Sequence, residues 1–585
     1  MKPLHAIHHR LQAMLEETRL HLARPDALLQ LALLGLITGV LAGGVIVLLR
    51  LGVEGFQAWL LPGNDVDNFE ALPQWQRMAL PLAGALLLAL MFRWFSRGLH
   101  VLGVARVLER MAYHQGRFTL RGFLLQFFGA AIALISGHSI GREGPHIFLG
   151  AAAGSLLGQT LDLPNNTLRT LVGCGAAAGI AASFNTPLAG VIFALEVIML
   201  DYHLASFIPV IIAAVSATVL SNATLGDVAA FSVPMLELGS LSQVPLVVIL
   251  GLLGGAVAAA FIQLAQTLSS HVRHWSIEIQ MAAAGVVMAG FAAFLPQVMG
   301  MGYDTISATL MGGYTAGLLF LLTLGKLLAT AFCSSLNVPG GIIGPTLFIG
   351  ATLGGGFGHL LLLWFPDLQI QPGFYAMLGM SALMAGSLQA PLAALTTLLE
   401  LTDNPQIIMP GMLVVVIAGI TASELFRKES LFVTALKAKG LDYSHSPVML
   451  ALRRLGVASA MDSSFVQVPE EIDMKRARRI LAEKPHWILI SRDNQPRYLL
   501  PAVDLAAWLE RADDEHVEGV SIHLTKIPGR RLQVAPIHLN QTLQEALEKL
   551  QNSEGEALYV RRMTAPGYWR IYGILTAEQI ESAYR

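Results

Sequence analysis

The chain has 585 residues, 54% of them hydrophobic and 13% charged, with a formal net charge of −2. A charged fraction about half the roughly 25% usual in soluble domains excludes an ordinary water-soluble protein and puts most of the chain in a bilayer. No nucleic-acid partner is expected.

Residues 1–26 contain no continuous apolar core, so no cleavable signal peptide is expected. Leu4, Ile7, Leu11 and Leu15 fall on one helical face with basic groups elsewhere, which predicts an amphipathic helix on the cytoplasmic membrane surface. His5, His8 and His9 read as its solvated polar face, with no metal site implied. Apolar runs then recur at 28–49, 78–92, 123–135, 205–220, 244–265, 282–295, 317–333, 374–399 and 407–422. A spanning helix needs about 20 apolar residues. Several runs are shorter, or are interrupted by Gly and Pro, which predicts a mainly α membrane domain over 27–440 with some helices ending inside the bilayer. Cys174 and Cys333, both in apolar stretches, read as small core residues.

Near Arg427 the composition turns polar. A pattern of strand, helix, strand, strand, helix appears twice, at about 459–512 and 530–585, predicting two small α/β modules in a tail of residues 441–585. The basic residues of both ends place both termini in the cytoplasm, most simply of a bacterium whose inner membrane holds the chain.

The membrane domain contains a duplication. "GREGPHIFLGAAAGSLLG" from Gly141 aligns without a gap on "GIIGPTLFIGATLGGGFG" from Gly341, and "SFNTPLAGVIFALE" from Ser183 matches "SLQAPLAALTTLLE" from Ser387. The two matches share nearly the same offset, so repeats are expected at about 27–226 and 243–426, commonly of inverted topology, with a binding site where they meet. Gly-x-x-Gly-Pro before an apolar run is a loop entering a helix: glycine admits close backbone approach and proline suits the first turn. The free N–H groups and positive dipole end of such a helix attract an anion. Two copies would aim two helix ends at one point, giving a site weak enough to let its ion leave. Glu143 stands where a mobile anion would sit, and a protonated carboxyl could vacate that place. A static pair of Arg142 with Glu143 is the bland alternative.

The motifs "GREGP", "FNTPLAG" with "ALE", "PGGIIGP" and "LQAPLAALTTLLELTDNPQ" resemble those of the CLC chloride channels and proton/chloride exchangers over roughly 27–436, and the tail resembles paired CBS modules. The resemblance implies a homodimer with one pore per subunit, each an inverted repeat of tilted, broken helices. It implies that Glu143 is the gating glutamate and that chloride lies against the backbone of Gly141, Arg142, Gly144, Ile342 and Ile343. Three positions depart from the family pattern. Leu102 takes the place of an anion-contacting serine, Phe432 that of a tyrosine, and Val197 that of a proton-relaying glutamate. These changes favour a passive, pH- or voltage-gated chloride channel, with a proton-coupled chloride antiporter as the alternative.

In the tail, a nucleotide-holding Gly-x-x-Thr/Ser-x-x-Asp element is incomplete in both copies. The first keeps Asp504, and the second keeps Gly573 and Thr576 but has Gln579 at the Asp place. An adenine nucleotide is the one cofactor the tail admits. Glu196, Asp201, Glu400 and Asp403 read as helix caps or snorkelling groups, and Lys326 either adds positive potential to an anion path or reaches the interface. An intramembrane enzyme is the distant alternative: His138 and Ser139 flank the loop, but neighbours in sequence are badly placed as base and nucleophile.

Overall fold

The computed structural model describes Leu22 and residues 27–583, apart from 63–65, 99–101, 228–235, 442–446, 494, 515–520, 553–554 and 566. The helix expected over 1–26, with its three histidines, thus lies outside the described residues but for Leu22. Two compact units emerge: one of Leu31–Leu161 with Leu168–Tyr443, the other mainly of Ser444–Arg585.

In the first unit, nine helices among the described residues are long and apolar enough to cross a membrane. This is an integral membrane protein. Every apolar run is helical, yet the run 374–399 is two helices, Pro372–Leu388 and Pro391–Thr402, separated where Gln389 turns to a φ of 54°. Pro391 forces the break, because it has no N–H to continue the first helix and is suited to begin the second. The Asn165–Phe184 helix has no counterpart among the expected runs. Its first turn carries Asn, Thr and Arg and its remainder is rich in Gly and Ala, so its apolar signal is weak, although 89% of its most apolar window is enclosed.

The duplication is visible in how helices touch. A Cβ added to Gly150 would lie 2.1 Å from the Gly175 carbonyl oxygen, and one on Gly154 2.2 Å from that of Leu171. In the other repeat, Gly350 would meet the Gly379 oxygen at 2.3 Å and Gly354 the Tyr375 oxygen at 2.0 Å. Both the Glu143–Thr160 and Ile343–Trp364 helices therefore press backbone to backbone on the helix that follows, which is why these glycines recur in register.

Two glutamates tie the repeats together. Glu196 accepts from the N–H groups of Leu392 (3.2 Å) and Ala393 (2.7 Å), while Glu400 accepts from those of Leu188 (2.9 Å) and Ala189 (2.7 Å). Each carboxylate caps the helix that starts with Pro-Leu-Ala in the opposite repeat, satisfying donors that no helix can satisfy itself.

The second unit repeats its expected pattern twice. The first run has strands β1 (Phe465–Pro469), β2 (Trp487–Arg492) and β3 (Gln495–Pro501), and the second β4 (Leu532–His538), β5 (Ala557–Ala565) and β6 (Tyr568–Thr576). They form one sheet in their order along the chain, β1-β2-β3-β4-β5-β6, joined where Leu499 pairs with Leu532. This α/β region is consistent with a CBS pair. The short helices Pro447–Arg454 and Val457–Ala460 bury Leu452 and Val457 with Leu543, Leu558 and Leu575, so the second module's core begins before the first module in sequence.

Replacing Gly354 by Val should lower stability by about 3 kcal/mol or more, since the obstacle is backbone that cannot move aside. Gly52→Ala, at a helical glycine with nothing within 4 Å, should change it by less than about 1 kcal/mol. Thermal unfolding in detergent distinguishes the two.

Candidate functional site

The two duplicated loops bond directly to each other. The Gly141 N–H donates to the Gly341 carbonyl (2.8 Å) and the Gly341 N–H to that of Gly141 (2.7 Å), an isolated antiparallel bridge across the repeats. A Cβ on Gly341 would lie 2.5 Å from the Gly144 nitrogen, so a side chain there would force the loops apart. This contact brings the N-termini of the Glu143 and Ile343 helices together.

Glu143 is fully buried at the first helical position. Its Oε2 accepts from the Gly344 N–H at 3.0 Å, and its Oε1 accepts from the Tyr303 hydroxyl. The carboxylate of one repeat therefore occupies the positive end of the other repeat's helix, where a free anion would also be held. Ile342 and Ile343 supply the cap and first residue of that helix, whose leading N–H groups have no partner within it.

Arg142 does not pair with Glu143. Its Nη1 lies 3.2 Å from Glu54 Oε1, its Nη2 donates to the Ser183 carbonyl at 3.1 Å, and its guanidinium lies 5.3 Å from the Tyr303 ring centroid. The side chain is a fixed positive charge beside the seat, committed to other partners.

A cavity of about 660 Å³ leads up to this centre. Leu102, Gly103, Gly144, Gly341, Ile342 and Phe432 all line it, so the positions singled out in distant parts of the sequence are neighbours. Farther out it is bordered by Arg93, Arg97, Arg273 and Lys439 against one acid, Glu278, a balance that concentrates anions. Neither Leu102 nor Phe432 offers a hydroxyl. Phe432 is buried edge-on to Phe193, ring centroids 6.3 Å apart, and the Gly103 N–H is taken by Gln126 at 2.7 Å. Val197 sits in a π-helical turn, Ala194–Met199, packed against the apolar core.

Tyr303 is absent from the residues expected at the site. Its only sequence signal is "MGMGYDT", a Gly-rich turn before a helix, which marks a loop without showing what it faces. Lys326 does not reach an interface: it is fully buried, donating to the carbonyls of Val298 (3.1 Å) and Gly300 (2.7 Å), with its Nζ 4.9 Å from the Phe348 ring centroid. His138 and Ser139 have separate partners, Ser136 at 2.9 Å and Thr330 at 3.1 Å, so they form no catalytic pair. In the tail, Thr576 closes a capping box with Gln579, and Asp504 lies in the first turn of the Ala502–Asp514 helix.

A profile described as "Voltage gated chloride channel" matches residues 83–423, more than half the chain. The H(+)/Cl(-) exchange transporter ClcA of Vibrio cholerae is 36% identical over 296 residues, covering 49% of this chain and 63% of that protein. The chain thus matches less than two thirds of that relative's length. The voltage-gated ClC-type chloride channel ClcB of Escherichia coli is 29% identical over 411 residues, covering 66% of this chain and 95% of that protein. Among solved structures, a eukaryotic CLC transporter superposes with a TM-score of 0.59 at 21% identity, covering 94% of this chain and 98% of that one, a likeness of fold that extends over the tail.

Restoring hydroxyls to the cavity should tighten anion binding. Leu102→Ser and Phe432→Tyr should each lower the chloride dissociation constant by about threefold to tenfold, the net worth of one hydrogen bond to a charged group, less the cost of ordering it. Isothermal titration of the detergent-solubilised protein measures this.

Proposed function

The chain belongs to the CLC family of chloride channels and exchangers, and on that footing we propose that it exchanges chloride for protons across a membrane, as a homodimer with one pore per subunit. The observation that carries this reading is the Glu143 carboxylate, buried against the Gly344 N–H and the Tyr303 hydroxyl. While ionised, the carboxylate competes with chloride for the same helix end. Once protonated it binds that positive end less well, withdraws, and leaves the site to chloride. One side chain thereby answers to both ions, the minimum that coupling requires.

The basic cavity supplies chloride to the centre, and the backbone of Ile342 and Ile343 receives it at a helix end, weakly enough that it can leave again. Protons reach Glu143 past Val197 on water, since valine cannot carry them. The higher identity to a relative named as an exchanger outweighs the passive channel expected from Leu102, Phe432 and Val197. Those three positions still favour the channel as a second reading, Val197 most directly because it cannot carry a proton. The positive charges after Arg427 support a reading with both termini in the cytoplasm, and the bacterial relatives support the inner membrane.

In reconstituted vesicles, a chloride gradient should drive protons uphill until the two gradients balance. Glu143→Gln should abolish proton movement and leave chloride flux insensitive to pH. A reversal potential equal to the chloride equilibrium potential at every pH difference would establish the passive channel instead.

A further inference from the structure

Residues 298–302, "VMGMG", form the turn that ends at Tyr303, and both faces of that turn are held by buried charge. From one side, the Asp67 carboxylate accepts from the Met301 N–H (3.0 Å) and the Gly302 N–H (2.7 Å). From the other, the Lys326 ammonium donates to the Val298 and Gly300 carbonyls. Asp67 comes from the connection after the Leu28–Leu60 helix and Lys326 from the Ala316–Ser335 helix, so the turn is clamped between two distant elements.

The turn fits nothing but this clamp. Gly300 and Gly302 have φ values of 53° and 75°, and a Cβ would lie 2.0 Å from Asp67 Oδ1 at the first and 2.6 Å from the Phe348 ring at the second. Burying a carboxylate and an ammonium in an apolar unit is costly, and each is satisfied here by backbone groups of one five-residue segment. A loop needing only to connect two helices has no use for that arrangement.

We propose that Asp67 and Lys326 are positioning residues for the gate: together they fix the one shape of the turn that sets the Tyr303 hydroxyl on the Glu143 carboxylate. The assignment rests on Glu143 being the gate, as proposed above. Several charged groups share this environment. Around Glu143 they are Tyr303, Lys326 and Arg142, with Glu54 and Arg50 behind the arginine. Asp67 is faced by Asp304, Tyr303 and Lys326, with Glu70 beyond Asp304. Burial and Asp304 push the Asp67 carboxyl upward, while the Gly302 N–H, Lys326 and the Met301 N–H pull it back.

The sign of the effect follows from the donor. The hydroxyl holds Glu143 in the anion's place, so losing it lets Glu143 leave at lower acidity. Tyr303→Phe should therefore move the acid-activation midpoint of chloride flux to higher pH by about one to two units, the worth of a hydrogen bond to a charged group. Asp67→Asn, which removes no group that touches Glu143 but loosens the turn that places the Tyr303 hydroxyl, should move it the same way by about half a unit or more, and by nothing further when combined with Tyr303→Phe.

The experiment is chloride flux against pH in vesicles for wild type, both single variants, the double variant and Glu143→Gln. Lys326→Gln, which keeps an N–H donor for the same carbonyls, supplies a second reading of the same shift should Asp67→Asn fail to yield monodisperse protein. A flat profile for Glu143→Gln together with unchanged midpoints for Asp67→Asn and Lys326→Gln would overturn the positioning role alone. So would an Asp67→Asn shift that adds in full to that of Tyr303→Phe. If Glu143→Gln retains the wild-type pH dependence, the gate itself is misassigned and this role falls with it.

Discussion

Two backbone hydrogen bonds between Gly141 and Gly341 fix the centre of this molecule. They make the loops of the two repeats a single small β-bridge, and everything on either side is placed by that contact. Because Gly144 and Gly341 approach within a distance that no Cβ permits, the helices beginning at Glu143 and Ile343 start next to each other, with their positive ends converging. A carboxylate carried by one helix then becomes the ligand of the other. Main-chain geometry thus creates a place of positive potential, where two helix ends meet.

The remaining buried charge is arranged to protect that geometry. Glu196 and Glu400 exchange caps between the repeats, each satisfying the first N–H groups of a helix that proline starts but cannot complete. Arg142, adjacent to Glu143 in sequence, is turned away to Glu54 and the Ser183 carbonyl. Lys326 and Asp67 are committed to one turn. In a medium where an unsatisfied polar group costs several kcal/mol, each of these side chains is where it is because a backbone donor or acceptor lacks a partner. The network holds the repeats in register, and among the described residues it leaves the Glu143 carboxylate to two donors, the Gly344 N–H and the Tyr303 hydroxyl.

Much of this was legible in the residue order. Repeated glycines at a fixed offset announced the duplication, because close helix contact tolerates no other residue there. Gly-x-x-Gly-Pro before an apolar run announced two helix ends able to hold an anion, and Glu143 at that point announced a competing charge. Short apolar runs announced helices, and alternation of strand and helix patterns announced the tail, since each depends on periodicity within about a dozen residues.

What the order of residues could not determine is which distant groups meet. Nothing in "MGMGYDT" says that its tyrosine closes on a glutamate 160 positions earlier, or that Asp67, in a short connection between two helices, fastens that turn. The Asn165–Phe184 helix escaped notice because a span enclosed by protein needs small residues and no apolar face toward lipid. Pairing of Arg142 with Glu54 was equally hidden, for adjacent side chains on a helix start diverge and each finds its partner on another element. Periodic helices, the repeat and the chemistry of the helix ends are local and can be read from residue order alone. The partners of Glu143 depend on packing, because Tyr303 and Gly344 come from two separate helices brought to it across long stretches of chain.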